Sequence, residues 1–163
     1  MKTIPLSQGK VALVDDADYA WLNQWKWYAD KNRKTFYARR NMRVGPYKQR
    51  AIKMHRVLTD AREDQLVDHR DGDGLNNQRY NLRVCDEAQS SQNRGLRKHC
   101  GLPFKGVRRS RWGKGYVAVV KANKRRIALY GFKTARDAAL AYDAMALKYH
   151  GEFARTNAML GLL

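Results

Sequence analysis

One stretch of alternating apolar and polar residues most limits what this chain can fold into. The alternation runs through residues 115–122 and again through 125–131, with Asn123 and Lys124 between the two runs. A period of two is typical of strands that bury one face, and a polar pair containing asparagine favours a turn. Extended back to residue 106, the stretch predicts three short antiparallel strands. The residues expected on the buried face are Ala118, Val120, Ile127 and Leu129.

A helical pattern follows across residues 134–150. Thr134, with Asp137 three residues later, is a good helix start, and Gly151 suits the position just after a helix end. The residues that repeat at helical spacing, and are expected in the core, are Ala138, Tyr142, Met145 and Tyr149. The pattern predicts one helix packed on the sheet, with its apolar face used for the core rather than for a cofactor.

Charge is distributed unevenly along the chain. There are 33 Lys and Arg against 15 Asp and Glu, a formal net charge of +18. Residues 88–136 contain fourteen Lys and Arg and no acidic residue, whereas residues 15–30 are net acidic. A segregated basic block favours polyanions, because binding releases their counterions. Nucleic acid is the leading partner, and an anionic membrane surface is weaker, since no basic amphipathic helix stands out.

Cations are predicted on the free face of the sheet. Alternation places Lys121 and Arg126 opposite the buried residues, with Arg108, Arg111 and Trp112 nearby. A three-stranded sheet that is backed by one helix can enter the major groove of DNA. The alternative is that these cations only solvate the sheet.

Four motifs follow one another in this part of the chain. They are Gly-Val-Arg at 106–108, Trp-Gly-Lys at 112–114, Ala-Ala-x-Ala-Tyr-Asp at 138–143, and a closing Gly-x-x-Ala-x-x-Asn formed by Gly151, Ala154 and Asn157. Together they make residues 103–158 resemble the Apetala2/ethylene-response-factor DNA-binding domain. The resemblance implies base contacts from Arg108, Trp112, Lys121 and Arg126, and phosphate contacts from Lys105 and Arg111. Val119 and Ala128 depart from the polar or bulky residues of the plant regulators, so the target sequence cannot be copied from them.

Residues 66–93 predict a strand, a polar loop, a second strand and a helix, in that order. The polar positions along this stretch are Asp68 and His69 at the end of the first strand, Asn81 before the second, Asp86 as the helix N-cap and Asn93 on the helix. His69 can accept a proton near neutral pH, whereas Asp68 points to the other side of the strand and can hold a metal ion. An EF-hand is excluded, because Leu82 stands in the place of its closing glutamate.

These residues together resemble the HNH endonucleases of the homing type, over about residues 54–95. The resemblance implies a ββα-metal finger at about 58–95. The roles that it implies are general base for His69, loop bridging and orientation of the base for Asn81, and coordination of one Mg²⁺ or Mn²⁺ ion for Asp68 and Asn93.

The expected function is therefore a site-specific DNA endonuclease that nicks one strand. It would use a single divalent metal and a histidine general base, and the sheet-type domain would supply the address. The alternative is a DNA-binding transcriptional regulator that carries an inactive HNH remnant. An RNA-binding or ribosome-associated basic protein is weaker, because no stacking platform of the RNA modules is recognisable.

The N-terminal third, residues 1–57, is predicted to be a β-rich scaffold. The expected elements are strands at 10–14, 35–39 and 49–54 and a helix that starts at Asp15 and Asp16. The tryptophans at 21, 25 and 27 could stack bases, but aromatic residues at this density are expected in a core. For His55 two alternatives stay open, a phosphate contact and a packed structural role.

The chain is thus predicted to be an α+β protein with an HNH endonuclease domain at 1–95, a linker at 96–102 and a DNA-binding domain at 103–158. The expected partner is double-stranded DNA, bound by a monomer or a DNA-assembled dimer, with no membrane and no protein partner implied. No apolar run reaches the roughly 18 residues that span a bilayer, and the N-terminus lacks signal-peptide features. Cys85 and Cys100 lie in unrelated contexts, which fits a reducing interior. We expect an intracellular, DNA-associated protein of a phage or bacterial host cell.

Overall fold

The computed structural model describes residues 1–32, 35–96 and 101–163. The chain divides into two compact units, Met1–Ser90 and Ser91–Leu163, named here the first unit and the second unit. The described residues form antiparallel sheets and a few helices, so the α+β class is confirmed. Residues 97–100, which make up most of the predicted linker and include Cys100, lie outside the described residues. The predicted domain boundaries stay predictions.

The first unit contains three small antiparallel sheets and short helices. Its elements are β1 (Lys2–Pro5), β2 (Val11–Val14), α1 (Asp16–Leu22), β3 (Tyr28–Asn32), β4 (Thr35–Arg43), β5 (Gln49–Lys53), α2 (Met54–Thr59), β6 (Leu66–His69) and β7 (Leu82–Cys85). The strands pair as β1 with β2, as a sheet of order β3-β4-β5, and as β6 with β7. Helix α3 (Glu87–Gln92) follows β7 and crosses the division between the units.

One apolar cluster holds the first unit together. Its buried members are Ile4, Ala12, Val14, Leu22, Trp27, Ala38, Met54, Leu58 and Leu82. Trp21 and Trp25 pack against this cluster, and the three tryptophan rings meet edge to face, with centroids 5.7 Å apart for Trp21 and Trp25 and 6.4 Å apart for Trp25 and Trp27. The prediction that these tryptophans belong to the core is confirmed.

Acidic side chains around α1 have roles that the sequence does not reveal. Asp15 occupies the predicted N-cap position, but its side chain does not cap the helix. Its carboxylate instead accepts hydrogen bonds from Gln78 Nε2 at 3.2 Å and from the Arg79 backbone N–H at 2.8 Å. Asp18 is buried and pairs with the Arg79 guanidinium at 2.7 Å, which lowers the pKa of Asp18. These bonds tie the start of the helix to the loop before β7.

The second unit is a three-stranded antiparallel sheet packed on one long helix. Its elements are β8 (Val107–Arg109), β9 (Tyr116–Ala122), β10 (Arg125–Phe132) and α4 (Ala135–His150), and the strand order is β10-β9-β8. Asn123 and Lys124 have φ of 49° and 61°, the positive values that a two-residue type I′ hairpin turn needs. The predicted strands and turn are confirmed.

Both predicted ends of α4 are also confirmed. The Thr134 hydroxyl accepts a hydrogen bond from the Asp137 backbone N–H at 3.1 Å and donates to the Asp137 carboxylate at 2.7 Å. The first of these bonds satisfies one of the backbone donors that a helix start leaves without partners, and the second joins the two side chains. Gly151, with φ of 54°, ends the helix.

The prediction that Leu129 and Tyr149 belong to the core of the second unit is wrong. Leu129 is 45% exposed and Tyr149 is 40% exposed. The pairing of β10 with β9 shifts register between Leu129 and Phe132, and Phe132 packs against the core. Met145 and Ala146 are the last buried residues of α4. The core itself consists of Val107, Ala118, Val120, Ala138, Ala139, Tyr142, Met145, Ala146 and Ala154.

Gly106 explains how closely the strand β8 and the helix approach each other. A Cβ atom at this position would lie 1.9 Å from the Tyr142 ring, and the residue has φ of 74°. Only glycine meets both demands without strain. Across the described residues, no helix combines the length and the apolar character needed to cross a membrane.

Candidate nucleic-acid interface

One face of the β8–β10 sheet is turned away from α4 and its core. Lys121 pairs with Arg126, Val119 with Ala128, and Val117 with Arg108. Because alternate residues of a strand share a face, these six side chains lie on the side opposite Ala118 and Val120, and among them Val117 is buried. We call this surface the open face. It carries one cation on each of its three strands, with small apolar residues between them.

In the part of the chain that the structure describes, no carboxylate neutralises the cations of the open face. Arg108, Lys121 and Arg126 are exposed, and within the described residues their side chains make no ion pair and no hydrogen bond. Lys121 and Arg126 also stand directly opposite each other, and like charges in that position destabilise a strand pair. A surface that keeps this unfavourable arrangement is suited to an anionic partner.

The loop between β8 and β9 places two further predicted contact residues beside the sheet. Arg111 is exposed and Trp112 is 91% exposed. The loop is closed by a hydrogen bond from the Ser110 N–H to the Gly115 carbonyl at 3.0 Å, and the Trp112 N–H donates to the Ser110 hydroxyl at 3.3 Å. A tryptophan that contributes nothing to a core is unusual, and such residues are enriched at binding surfaces. Their contacts with DNA stay predictions.

Lys105, a predicted phosphate contact, is hydrogen-bonded within the second unit. Its ammonium donates hydrogen bonds to the carbonyls of Gln92 at 2.7 Å and Arg155 at 3.0 Å. Burial, with a smaller contribution from the charge of Arg155, lowers the pKa of Lys105 to about 8. An ammonium committed to two carbonyls inside its own unit is poorly placed to hold a phosphate. This geometry argues against Lys105 as a clamp.

A buried polar connection that the sequence did not reveal supports the sheet. Asn157 is fully buried; its Oδ1 accepts from the Lys105 N–H at 2.7 Å, and its Nδ2 donates to the Lys105 carbonyl at 3.1 Å. The carboxylate of Asp143 accepts from the Asn157 N–H, the Asn157 side chain and the Ala158 N–H. The signal that could have found it was Asn157 at the close of the last motif together with Asp143 on the helix.

In the first unit, Asn81 closes the polar loop between β6 and β7. Its Nδ2 donates to Asp71 Oδ1 at 3.0 Å and to the Asn76 carbonyl at 2.8 Å, and its Oδ1 accepts from the Asp71 N–H at 3.1 Å. Asp71 also accepts from the Asn76 amide at 2.7 Å. The predicted catalytic part of Asn81 is not tested by this geometry and stays a prediction.

Asp68, predicted as a metal ligand, is held by an arginine. The Arg83 guanidinium contacts Asp68 Oδ2 through Nε at 3.0 Å and Nη2 at 2.7 Å, and the two side chains are only 6% and 12% exposed. The guanidinium already supplies the positive charge that a divalent ion would bring to the Asp68 carboxylate. This arrangement therefore fits a divalent ion poorly.

The other predicted metal ligand is Asn93. Asn93 is buried and belongs to the second unit. Within residues 1–32, 35–96 and 101–163, no three His, Cys, Asp or Glu side chains form a group that could hold a metal. The Mg²⁺ or Mn²⁺ ion stays a prediction.

His69, the predicted general base, is buried and lies in an aromatic group with the buried His55 and the half-buried Tyr37. The ring centroids are 5.1 Å apart for the two histidines, 5.2 Å for Tyr37 and His55, and 5.7 Å for Tyr37 and His69. Burial lowers the pKa of both histidines, that of His55 to about 2, while a hydrogen bond with Asn77 partly offsets the effect at His69. For His55, the packed structural alternative is the one that the structure shows.

Comparison with known proteins gives relatives of one kind. The chain is 34% identical over 96 residues to the ethylene-responsive transcription factor ERF069 of Arabidopsis thaliana, which covers 56% of this chain and 58% of that protein. It is 32% identical over 85 residues to the dehydration-responsive element-binding protein 2D of Arabidopsis thaliana, covering 52% of this chain and 41% of that protein. It is 37% identical over 68 residues to the dehydration-responsive element-binding protein 2E of Oryza sativa subsp. japonica, covering 41% and 21%. The chain therefore spans between about a fifth and three fifths of the length of these relatives. No family model and no solved structure matches it.

These relatives correct the expected function. They are transcription factors and not nucleases, so the prediction of a metal-dependent DNA endonuclease is wrong, and the HNH resemblance receives no support. The resemblance that they do support is the other one. Over about half of its length, the chain is similar to AP2/ERF-type DNA-binding transcription factors.

Proposed function

We propose that this chain is a sequence-specific double-stranded DNA-binding protein that acts as a transcriptional regulator, with the open face in the major groove. The observation that carries the proposal is the set of three exposed cations, Arg108, Lys121 and Arg126, that have no ion-pair or hydrogen-bond partner among the residues that the structure describes. The names of the relatives, which include transcription factors and element-binding proteins, point the same way. An intracellular, DNA-associated location follows from this role.

The dimensions of the sheet suit the major groove. Neighbouring strands lie about 4.8 Å apart, so three strands are about 10 Å wide, and the groove is about 12 Å wide. The sheet would carry one cation per strand into the groove. An arginine can bind O6 and N7 of guanine with two hydrogen bonds, and a lysine can contact the same atoms or a neighbouring phosphate.

The centre of the open face adds a second kind of contact. Val119 and Ala128 pair with each other between the cations. Small apolar side chains in the groove can contact the methyl group of thymine but cannot hydrogen-bond a base edge. We therefore expect a preferred site in which guanines lie on either side of a central thymine or adenine–thymine step.

The proposal is tested by selecting sites from random duplex DNA and measuring affinity for the selected site. Arg126→Ala should cost about 1–3 kcal/mol, roughly 5- to 150-fold in affinity, and relax the preference at one base position. Arg125→Ala is the matched control, since Arg125 is also exposed and is the adjacent residue, but it pairs with Ala122 and belongs to the opposite face. Failure to select any common sequence, or equal effects of both substitutions, would overturn the proposal.

A further inference from the structure

Strands β4 and β5 extend beyond the end of β3, the third strand of their sheet. Strand β3 pairs with β4 only as far as Arg39, whereas β5 pairs with β4 from Arg39 to Arg43. Residues 39–53 therefore form a two-stranded antiparallel arm, named here the ribbon. Its cross-strand pairs are Arg39 with Lys53, Arg40 with Ile52, Asn41 with Ala51, Met42 with Arg50, and Arg43 with Gln49.

The outer part of the ribbon is exposed and is linked to the rest of the first unit by side-chain bonds, with Asn41 Oδ1 accepting from the Tyr28 hydroxyl at 3.0 Å and Arg50 pairing with Glu63. Residues 41–51 are exposed apart from Gly45, and Tyr47 at the tip is fully exposed. The turn is closed by a hydrogen bond from the Val44 N–H to the Lys48 carbonyl at 2.9 Å, and the Arg43 guanidinium donates to the carbonyls of Gly45 and Pro46. An isolated hairpin is marginally stable in water, so an exposed one with a secured turn needs another reason to persist.

The charge of the ribbon matches a polyanion. Residues 31–59 contain ten Lys and Arg and no acidic residue. Arg39 is offset by Asp30 and Arg50 by Glu63, but Arg43, Lys48 and Lys53 have no carboxylate partner within the described residues. Lys53 also stands directly opposite Arg39, and its ammonium lies 5.6 Å from the centroid of the Tyr37 ring.

The two faces of the ribbon have different chemistry. At its root, one face is anchored, because the Arg40 guanidinium lies 4.4 Å from the Trp25 ring centroid and Ile52 packs against the core of the first unit. The residues of the other face are Arg39, Asn41 and Arg43 on β4 and Gln49, Ala51 and Lys53 on β5. Arginine, lysine, asparagine and glutamine are the side chains that hydrogen-bond base edges in the major groove.

We propose that the ribbon is a second DNA-binding element, which enters the major groove of double-stranded DNA and contacts base edges through Asn41 and Gln49. The major groove accepts a two-stranded β-ribbon, and five residue pairs span about 17 Å. Lys48 and Lys53 are placed to contact phosphates. The inference rests on the proposed function, because it takes duplex DNA as the ligand of the chain. It adds a separate tract of DNA to the one bound by the open face.

The experiment is a hydroxyl-radical footprint of the full chain on a selected DNA site with long flanks. Wild-type protein should protect two tracts. The double variant Lys48→Ala/Gln49→Ala should lose one tract and bind about tenfold more weakly, while the sequence selected at the other tract is unchanged. The control is Met42→Ala/Arg50→Ala, which changes a cross-strand pair on the face opposite Gln49, also removes one positive charge, although one that Glu63 offsets, and should keep both tracts. Thermal melting confirms that each variant is folded.

The possible failures are distinguishable. A single protected tract that is the same in wild type and in Lys48→Ala/Gln49→Ala, but is weakened by Arg126→Ala, would overturn the ribbon and leave the open face as the DNA-binding surface. Loss of one tract in both double variants would show that the ribbon binds through its charge alone and that neither face contacts base edges specifically. That result would also overturn the proposal. Absence of any protection by wild type would overturn both proposals.

Discussion

The two units use their charges in opposite ways. The first unit has seventeen Lys and Arg against twelve Asp and Glu, and internal ion pairs join Asp18 to Arg79, Asp30 to Arg39 and Asp68 to Arg83. The second unit has sixteen against three, and the cations of its open face have no partner within the described residues. In the first unit some of the charges are used in pairs that hold the fold together, whereas the cations of the open face are available to a ligand.

The ribbon departs from the pattern of paired charges in the rest of the first unit. Its cations outnumber the carboxylates near them, as on the open face, and its outer residues contribute nothing to a core. This likeness between two unrelated strand arrangements supports assigning both to the same kind of partner. The comparison between paired and unpaired charge leads to three predictions.

The largest effect is expected from breaking the Asp68–Arg83 pair. Arg83→Met should destabilise the first unit by about 3–5 kcal/mol, because it leaves a largely buried carboxylate without its cation. Denaturation followed by tryptophan fluorescence measures this, since Trp21, Trp25 and Trp27 belong to the first unit and Trp112, in the second, is already 91% exposed in the folded chain.

The control for this prediction is a variant that removes both charges. Arg83→Met/Asp68→Leu should recover most of the lost stability, since no unpaired charge is then buried. In contrast, Lys121→Ala, which removes a cation from the open face, should not lower the stability of the second unit. Equal destabilisation by Arg83→Met and Lys121→Ala would break the comparison.

A smaller loss of stability is expected in the first unit when the pH is lowered. Burial lowers the pKa of His55 to about 2 and lowers that of His69 as well. Below the ordinary histidine value of about 6.5, the unfolded chain binds protons that the folded chain refuses, so stability falls as the pH falls, by up to about 1.4 kcal/mol per pH unit for each histidine.

Melting followed by tryptophan fluorescence between pH 7 and pH 5 tests this expectation. His55→Phe keeps a ring beside Tyr37 and removes one titrating group, so it should reduce the pH dependence by about half if the two histidines contribute equally. DNA binding by the arginines of the open face should change little over the same range, since they stay charged. A pH dependence that is unaltered in His55→Phe would remove His55 from the explanation.

The smallest effect is expected at Lys105. A side chain that contacts a phosphate reduces the slope of log affinity against log salt by about 1 when it is removed. Lys105→Met should leave this slope unchanged, because its ammonium is already bound to two carbonyls. Arg111→Ala, which removes an exposed guanidinium from the same unit, should lower it by about 1. A reduced slope in Lys105→Met would restore the phosphate contact.

Local signals predicted the second unit well. The alternating residues, the Thr134–Asp137 cap and the Asn123–Lys124 turn depend on neighbours within a few positions, and the structure confirms all three. Leu129 was misplaced because the register shift before Phe132 depends on the partner strand. The strand β1 was missed because only one of its four residues, Ile4, is buried.

The candidate site in the first unit shows a different limit of sequence reasoning. The strand, loop, strand and helix of residues 66–92 are present where the pattern predicted them, and Asp86 and Gln89 cap the helix reciprocally. The function did not follow from that pattern. Asp68 finds Arg83 directly across the strand pair, a neighbour fifteen positions away that a linear motif does not weigh.

The bond between Asn157 and Lys105 has a consequence for biosynthesis. The two residues are 52 positions apart, yet the amide of Asn157 contacts both backbone groups of Lys105 at the entrance to β8. A contact of such long range forms only after the intervening chain has been made. During translation the sheet therefore forms before the Asn157–Lys105 hydrogen bonds can stabilise it. Until Asn157 has been made, this strongly cationic segment is incompletely folded and exposed to the RNA-rich surroundings of the ribosome.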